Sequence, residues 1–343
     1  MLQKPSRRVP PERKVGSMSA AETSRQIQVL APSRLHFGLL SFGKSDRRQY
    51  GGVGVMVQQP AVHLEFTPFP KFEVSGPLAA RVTAFANHWQ QWHEQARLPA
   101  CRVTVKSIAR EHVGLGVGTQ LGLALATGLN HWQQRPDTTI VDLARSVGRG
   151  LRSAIGSHGF CSGGLIVDAG KAADEDISPL QVRVELPSQW QFVLVSPRQG
   201  AGLSGERETT AFGQLDPVPE EVSQRLQDEI DREIVPAAQQ RQFGRFSRAV
   251  FRFGELAGSC FATVQGGAYH GPELIQRVAW MRSLGIEGVG QSSWGPTLFA
   301  LFPDPTAAAA FVQQARQDPQ GCELEYEVTG ADNQGARVLD HSS

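Results

Sequence analysis

The chain has 343 residues, room for two domains of ordinary size, each with its own core. Its 34 lysines and arginines balance 33 aspartates and glutamates, so no global field recruits nucleic acid or an anionic membrane, and any polyanion must be met locally. The four cysteines, Cys101, Cys161, Cys260 and Cys322, are far apart with no C-x-x-C pairing, which argues for reduced thiols, a cytoplasmic protein and no zinc site.

Residues 1–25 are read as a disordered basic extension: the stretch is Pro-bearing, lacks the apolar core of a secretory signal, and offers Met18 as a second start. Regular patterning begins at Gln26. Gln26 to Phe42 alternates as a strand, with Pro32 marking an edge or bulge. On it Arg34 and His36, two residues apart, point to one face, a pairing that suits a phosphate or carboxylate; the plainer reading is a solvent-facing arginine beside an incidental histidine. Strands are expected at Val53 to Val57 and Ala61 to Thr67. A helix from Pro77 to about Arg97 should bury Val82, Phe85, Ala86 and Trp89 and leave His88 and His93 on the surface.

Cys101 to Ile108 is an alternating strand that delivers the chain to HVGLGVGTQLGLALATGLN, His112 to Asn130. Here a glycine-rich turn runs into an apolar helix without one charged carboxylate, lysine or arginine. Gly114, Gly116 and Gly118 permit positive φ and close backbone approach, and the helix N-terminus presents free N–H groups to an anion. The alternative is a helix that needs small residues for packing. Leu121, Leu125 and Leu129 share a face, and the glycines and Gln120 make the stretch a poor membrane span. The turn is neither a Walker A sequence nor a dinucleotide fingerprint.

A helix is expected at Thr138 to Val147. Gly148 to Lys171 then packs seven glycines around Arg149, Arg152, His158, Asp168 and Lys171, with Gly163 to Asp168 as a strand. The strand Pro187 to Pro197 opens a second domain, so the expected division is 26–187 and 188–343. Beyond a glycine loop at Arg198 to Arg207 come helices at about 219–240, 243–262 and 272–283, a strand to Gln291, the loop Gln291 to Thr297, a strand at 298–302, a helix at 306–317 and a last strand at 323–329. That order makes an α+β protein.

Three of these loops, APSRLHFG, HVGLGVGTQLGLALATG and GQSSWGPTLFAL, resemble in order the three motifs of the GHMP kinase superfamily. Five segments together, Ser33 to Gly38, Gly118 to Gln120, Arg152 to Lys171, Gly202 to Glu206 and Gln291 to Pro296, resemble the β-ribofuranosylaminobenzene 5′-phosphate synthases of that superfamily. Val117 and Gly118 stand where the kinases carry serines that help hold Mg–ATP. The resemblance implies a two-domain α+β fold, an N-terminal ribosomal-protein-like domain with the glycine loop and a C-terminal ferredoxin-like sandwich. It implies that phosphoribosyl pyrophosphate, brought with Mg²⁺, condenses with 4-aminobenzoate, releasing CO₂ and pyrophosphate, in tetrahydromethanopterin biosynthesis. An ATP-dependent small-molecule kinase is the alternative, and a homodimer the default assembly. The carried-over site is Arg34, His36 and Asp168 as catalytic groups. Gly114, Gly116, Gly118, Thr119, Gln120, Arg152, Lys171, Ser204, Gln291, Ser292 and Ser293 would bind substrate, with no metal-ligating protein motif.

Overall fold

Alternating apolar residues make Ile27–Leu39 (β1) and Gly52–Pro68 (β2) the long central pair of an antiparallel sheet. A computed structural model describes residues 25–43, 46–198, 213 and 215–341; the extension up to residue 24 and the loop bearing Ser204 lie outside them. Pro32 sits at a bulge. Ala31 pairs with Val62 but Ser33 with Val57, so residues 58–61 bow out, and the Ser33 hydroxyl donates to the Pro60 carbonyl at 2.5 Å. The two strands expected around that point are one bent strand.

β1 is not an edge. On its other side runs Arg337–Asp340 (β11), a strand not expected from the sequence, because its four largely exposed residues carry no period long enough to read. The sheet continues through Cys101–Ser107 (β4) to Glu73–Ser75 (β3), while Leu165–Asp168 (β5) pairs with the other half of β2 and carries Leu180–Val184 (β6). One face is covered by Ala79–Trp92 (α1) and Val117–Trp132 (α2), with Ile140–Ser146 (α3) outside them. α1 buries Val82, Phe85, Ala86 and Trp89 as its spacing predicts, but His93 is half-buried against the Trp89 ring rather than on the surface.

Ile155–Ser162 (α4) is a helix inside the glycine-dense stretch Gly148 to Lys171, where no helix was expected. Its glycines serve packing: a β-carbon on Gly159 would overlap the Met56 sulfur on β2.

The second half is a four-stranded antiparallel sheet, Leu324–Gly330 (β10), Gln191–Pro197 (β7), Leu298–Phe302 (β9) and Val289–Gln291 (β8), in that order. Gly271–Ser283 (α9) and Pro305–Gln317 (α10) pack Leu274, Met281 and Phe311 against Val193 and Val195 on one face. The other face takes a long helix, Glu220–Glu229 (α5) running through a π-helical turn Ile230–Ile234 into Val235–Gln239 (α6), and Phe243–Ser259 (α7), followed by the short Ala262–Gln265 (α8). That core does not stop at residue 187. Phe192, Phe246 and Phe253 pack in one cluster with Leu35, Phe37, Val53 and Val55 of the first sheet. With β11 returning to β1, the chain after 188 completes both halves, and the loops between them are held at fixed positions.

Candidate active site

The first turn of α2 is the floor of the site. Gly116 caps it in the left-handed region (φ 71°), no side chain caps its N–H groups, and its first turn holds no acid. Thr119 and Gln120 N–H turn back to the Gly116 carbonyl at 3.0 and 3.1 Å, so the open end of the helix lies ahead of them. Beside it is a cleft of about 1040 Å³ between the two halves of the chain.

Ser292 fastens the three loops into one body. It is fully buried, and its hydroxyl accepts from the His36 N–H at 3.0 Å and donates to the Gly114 carbonyl at 2.7 Å. Its own N–H reaches the Thr297 carbonyl (3.0 Å), and the Ser293 N–H reaches that of His36 (3.1 Å). Gly114 (φ 91°) is used for this contact: a β-carbon there would overlap the Ser292 carbonyl, and one on Gly295 would overlap Val113. Gly116 is used differently, since its β-carbon would lie 3.3 Å from Arg34 Cβ and 3.4 Å from Arg34 Nε. The bare glycine lets the arginine lie flat on the helix start.

Arg34, Arg81, Arg149 and Arg152 all border the cleft, and among the described residues no aspartate or glutamate does. Arg81 is held by an ion pair with Glu111, whereas Arg149 lies with its guanidinium carbon 4.8 Å over the Phe85 ring. Burial, and secondarily the neighbouring Arg81, bring the Arg149 pKa down to about 10. His36 also borders the cleft, and its Nε2 is buried without a hydrogen-bond partner. Burial first, and the Arg34 charge second, hold its imidazole well below the usual histidine range, so at neutral pH it is an uncharged hydrogen-bonding group.

Part of the cleft wall is apolar. Leu39, Ala257, Phe261 and Trp294 form it, with the Phe261 and Trp294 rings edge-to-face at 5.2 Å. Cationic and aromatic side chains in the wall of one cavity suit a polyanion and a flat apolar molecule held together.

Of the residues expected from sequence, Arg34, His36, Thr119, Arg152, Gln291 and Ser293 border this cleft. Gln291 is occupied at both ends of its amide, accepting from the His270 N–H (2.9 Å) and donating to the Gly295 carbonyl (3.0 Å). Asp168, expected as a catalytic group, does not border the cleft. It is fully buried outside the cleft, and its carboxylate accepts from Ser153 and Ser178 hydroxyls and from Ala154 and Gly170 N–H groups, all within 3.1 Å. Through the first of these bonds it holds Ser153, which does border the cleft. Gln120 likewise turns away, donating to the Gly156 carbonyl at 2.8 Å, and Lys171 pairs through its backbone with Gln49. Arg81 was not among the expected residues, because nothing in a helical arginine's local sequence signals its convergence on a helix start 37 residues away, at Gly118.

Among the described residues no group of three or more His, Cys, Asp or Glu is placed to hold a metal ion. With no described carboxylate bordering the cleft, the side chains there do not fit a protein-held Mg²⁺. None of the four cysteines is in a disulfide, and no described helix is long and apolar enough to cross a membrane.

Fold and motifs together are similar to those of the GHMP kinases. Residues 234–319 match the family described as GHMP kinases C terminal. Solved structures of the same fold include homoserine kinase from Cytophaga hutchinsonii (TM-score 0.59, 15% identity, covering 96% of this chain and 100% of that one). Another is mevalonate pyrophosphate decarboxylase from Streptococcus pyogenes (0.65, 10%, 90% and 97%). The relatives in sequence are of one kind. β-Ribofuranosylphenol 5′-phosphate synthase of Methanothermobacter thermautotrophicus is 27% identical, covering 92% of this chain and 99% of its own. That of Archaeoglobus fulgidus is 28% identical over 91% and 99%. The family resemblance carried by the five motif segments therefore extends over nearly the whole chain.

Proposed function

We propose that this chain is a decarboxylating phosphoribosyltransferase that joins the ribose 5-phosphate group of phosphoribosyl pyrophosphate to the carboxylate-bearing ring carbon of 4-aminobenzoate. The observation that carries the reading is the cleft itself: four arginines, three of them against the first turn of α2, no described carboxylate, and the Phe261 and Trp294 rings in the same wall. The ring carbon bonds to the anomeric carbon as the bond to pyrophosphate breaks. The C–CO₂⁻ electron pair then restores the arene and CO₂ leaves. No net proton is transferred. That balance suits a neutral His36, which acts by donating or accepting a hydrogen bond rather than by supplying a proton.

The arginines stabilise the charge that grows on departing pyrophosphate, and the apolar part of the wall keeps water from the cationic sugar carbon. Mg²⁺ enters on this reading as part of the pyrophosphate substrate, not as a resident ion. The names of the relatives specify a phenol product, which makes 4-hydroxybenzoate the competing acceptor.

The test is to incubate the protein with phosphoribosyl pyrophosphate, Mg²⁺ and carboxyl-labelled 4-aminobenzoate or 4-hydroxybenzoate, and count released CO₂. Release that depends on both substrates supports the reading, and the better acceptor fixes the para substituent. ADP formed from ATP with a phosphorylated metabolite, and no CO₂, would replace it with a kinase.

A further inference from the structure

Gly118, in the first turn of α2, lies directly under two guanidinium groups. A β-carbon there would stand 2.5 Å from Arg81 Nη2 and 3.5 Å from Arg149 Nη2, so two like charges meet at one point above a helix start that is itself positive. Two residues earlier, Gly116 carries Arg34 in the same way. Such a convergence is unfavourable in the empty site and favourable once a multiply charged anion lies between the groups.

Two further observations point to a ligand here. Arg149 Nε is buried with no hydrogen-bond partner, and so is Nε2 of His36, which is only 5% exposed on the wall of the same cleft. The Glu111 carboxylate that pairs with Arg81 does not border the cleft, so it anchors that guanidinium from outside.

We propose that Arg81 and Arg149 clamp the diphosphate of the phosphoribosyl donor over Gly118. This deepens the phosphoribosyltransferase reading and rests on it. It orients the donor, because the leaving diphosphate sits at the α2 start, between the arginines, and the sugar extends away from it into the cleft. It also gives Gly118 a reason. The residue is helical, with no positive φ, so alanine there is favoured by helix propensity and conflicts only with the tip of Arg81.

The probe is inorganic pyrophosphate, measured by calorimetry against wild type, Arg149→Gln, Arg81→Gln and Gly118→Ala, with ribose 5-phosphate as the comparison ligand. Each variant should weaken pyrophosphate by about tenfold or more and ribose 5-phosphate by less than about threefold. Gly118→Ala should do so while its Tm stays level or rises. Unchanged pyrophosphate binding in the arginine variants, or an equal loss for both ligands, would overturn the clamp, as would a wild type that does not bind pyrophosphate. A clamp that passes in a protein that releases no CO₂ leaves the synthase reading alone refuted. CO₂ release with unaltered pyrophosphate binding in the variants leaves the clamp alone refuted.

Discussion

Arg34 and Gly116 pack as one unit: Gly116 holds a positive φ, and a β-carbon there would press on the arginine at 3.3–3.4 Å. A flat guanidinium fixed this way reads an anion through paired N–H groups, which an ammonium cannot do. Arg34→Lys should therefore lower kcat/KM by roughly 2–3 kcal/mol in the CO₂ assay although charge is kept; a loss below about 0.5 kcal/mol would mean that charge alone matters. His36 is a separate matter of pH. An imidazole whose folded pKa is depressed takes up no proton where the unfolded chain does, so its contribution to stability is complete above about pH 6.5 and is lost as pH falls through the folded value. Urea midpoints should fall between about pH 7.5 and 5.5 for the wild type and fall less for His36→Gln. An equal fall would move the acid sensitivity to His63 or His93, which burial also lowers. Arg34 and His36 were legible because a strand's two-residue period puts them on one face. The Arg81–Arg149 meeting was not, because it is made by tertiary packing of a helix and a turn that share no motif.

The elements of the site are joined by buried side chains that do not border the cleft. Ser292 satisfies a buried N–H of β1 and a buried carbonyl of the glycine loop, so Ser292→Ala strands both groups and should cost roughly 2–4 kcal/mol in denaturant unfolding. A cost under about 1 kcal/mol would mean that the loops are held by packing instead. Asp168 does for the segment 153–154 what Ser292 does for the loops. Asp168→Asn turns an amide toward four donors, and should lower thermal stability while reducing kcat/KM through a displaced Ser153 rather than through altered chemistry, leaving the shape of the pH–rate profile unchanged. A lost limb of that profile would return Asp168 to the catalytic groups. Strong periodicity makes β1, α1 and α2 readable in the amino-acid sequence alone. It fails at α4, where Gly156 and Gly159 look like turn residues until Met56 is seen pressing against the helix, and at β2, where a proline interrupts a strand without ending it.

Over the whole molecule, the second sheet and the first share a core through α7, and Ile27 and Leu30 of β1 pair with Asp340 and Arg337. Deleting residues 337–343 removes only a short, largely exposed strand, yet it should raise hydrogen exchange at Gln28 and Leu30, more than 300 positions away, before it affects β7 or β9. Uniform loss of protection would mean that the two sheets unfold as one unit. The pairing also sets a clock on synthesis. β1 begins at residue 27 and β11 at residue 337, 310 residues later, which a ribosome covers in roughly 15–60 s. For that interval one row of β1 amides and carbonyls has no strand beside it, the kind of open edge on which nascent chains pair with one another. The β1 edge is thus covered only once residues 337–340 have emerged, and the need for a chaperone in making the fold should be greatest just before that point.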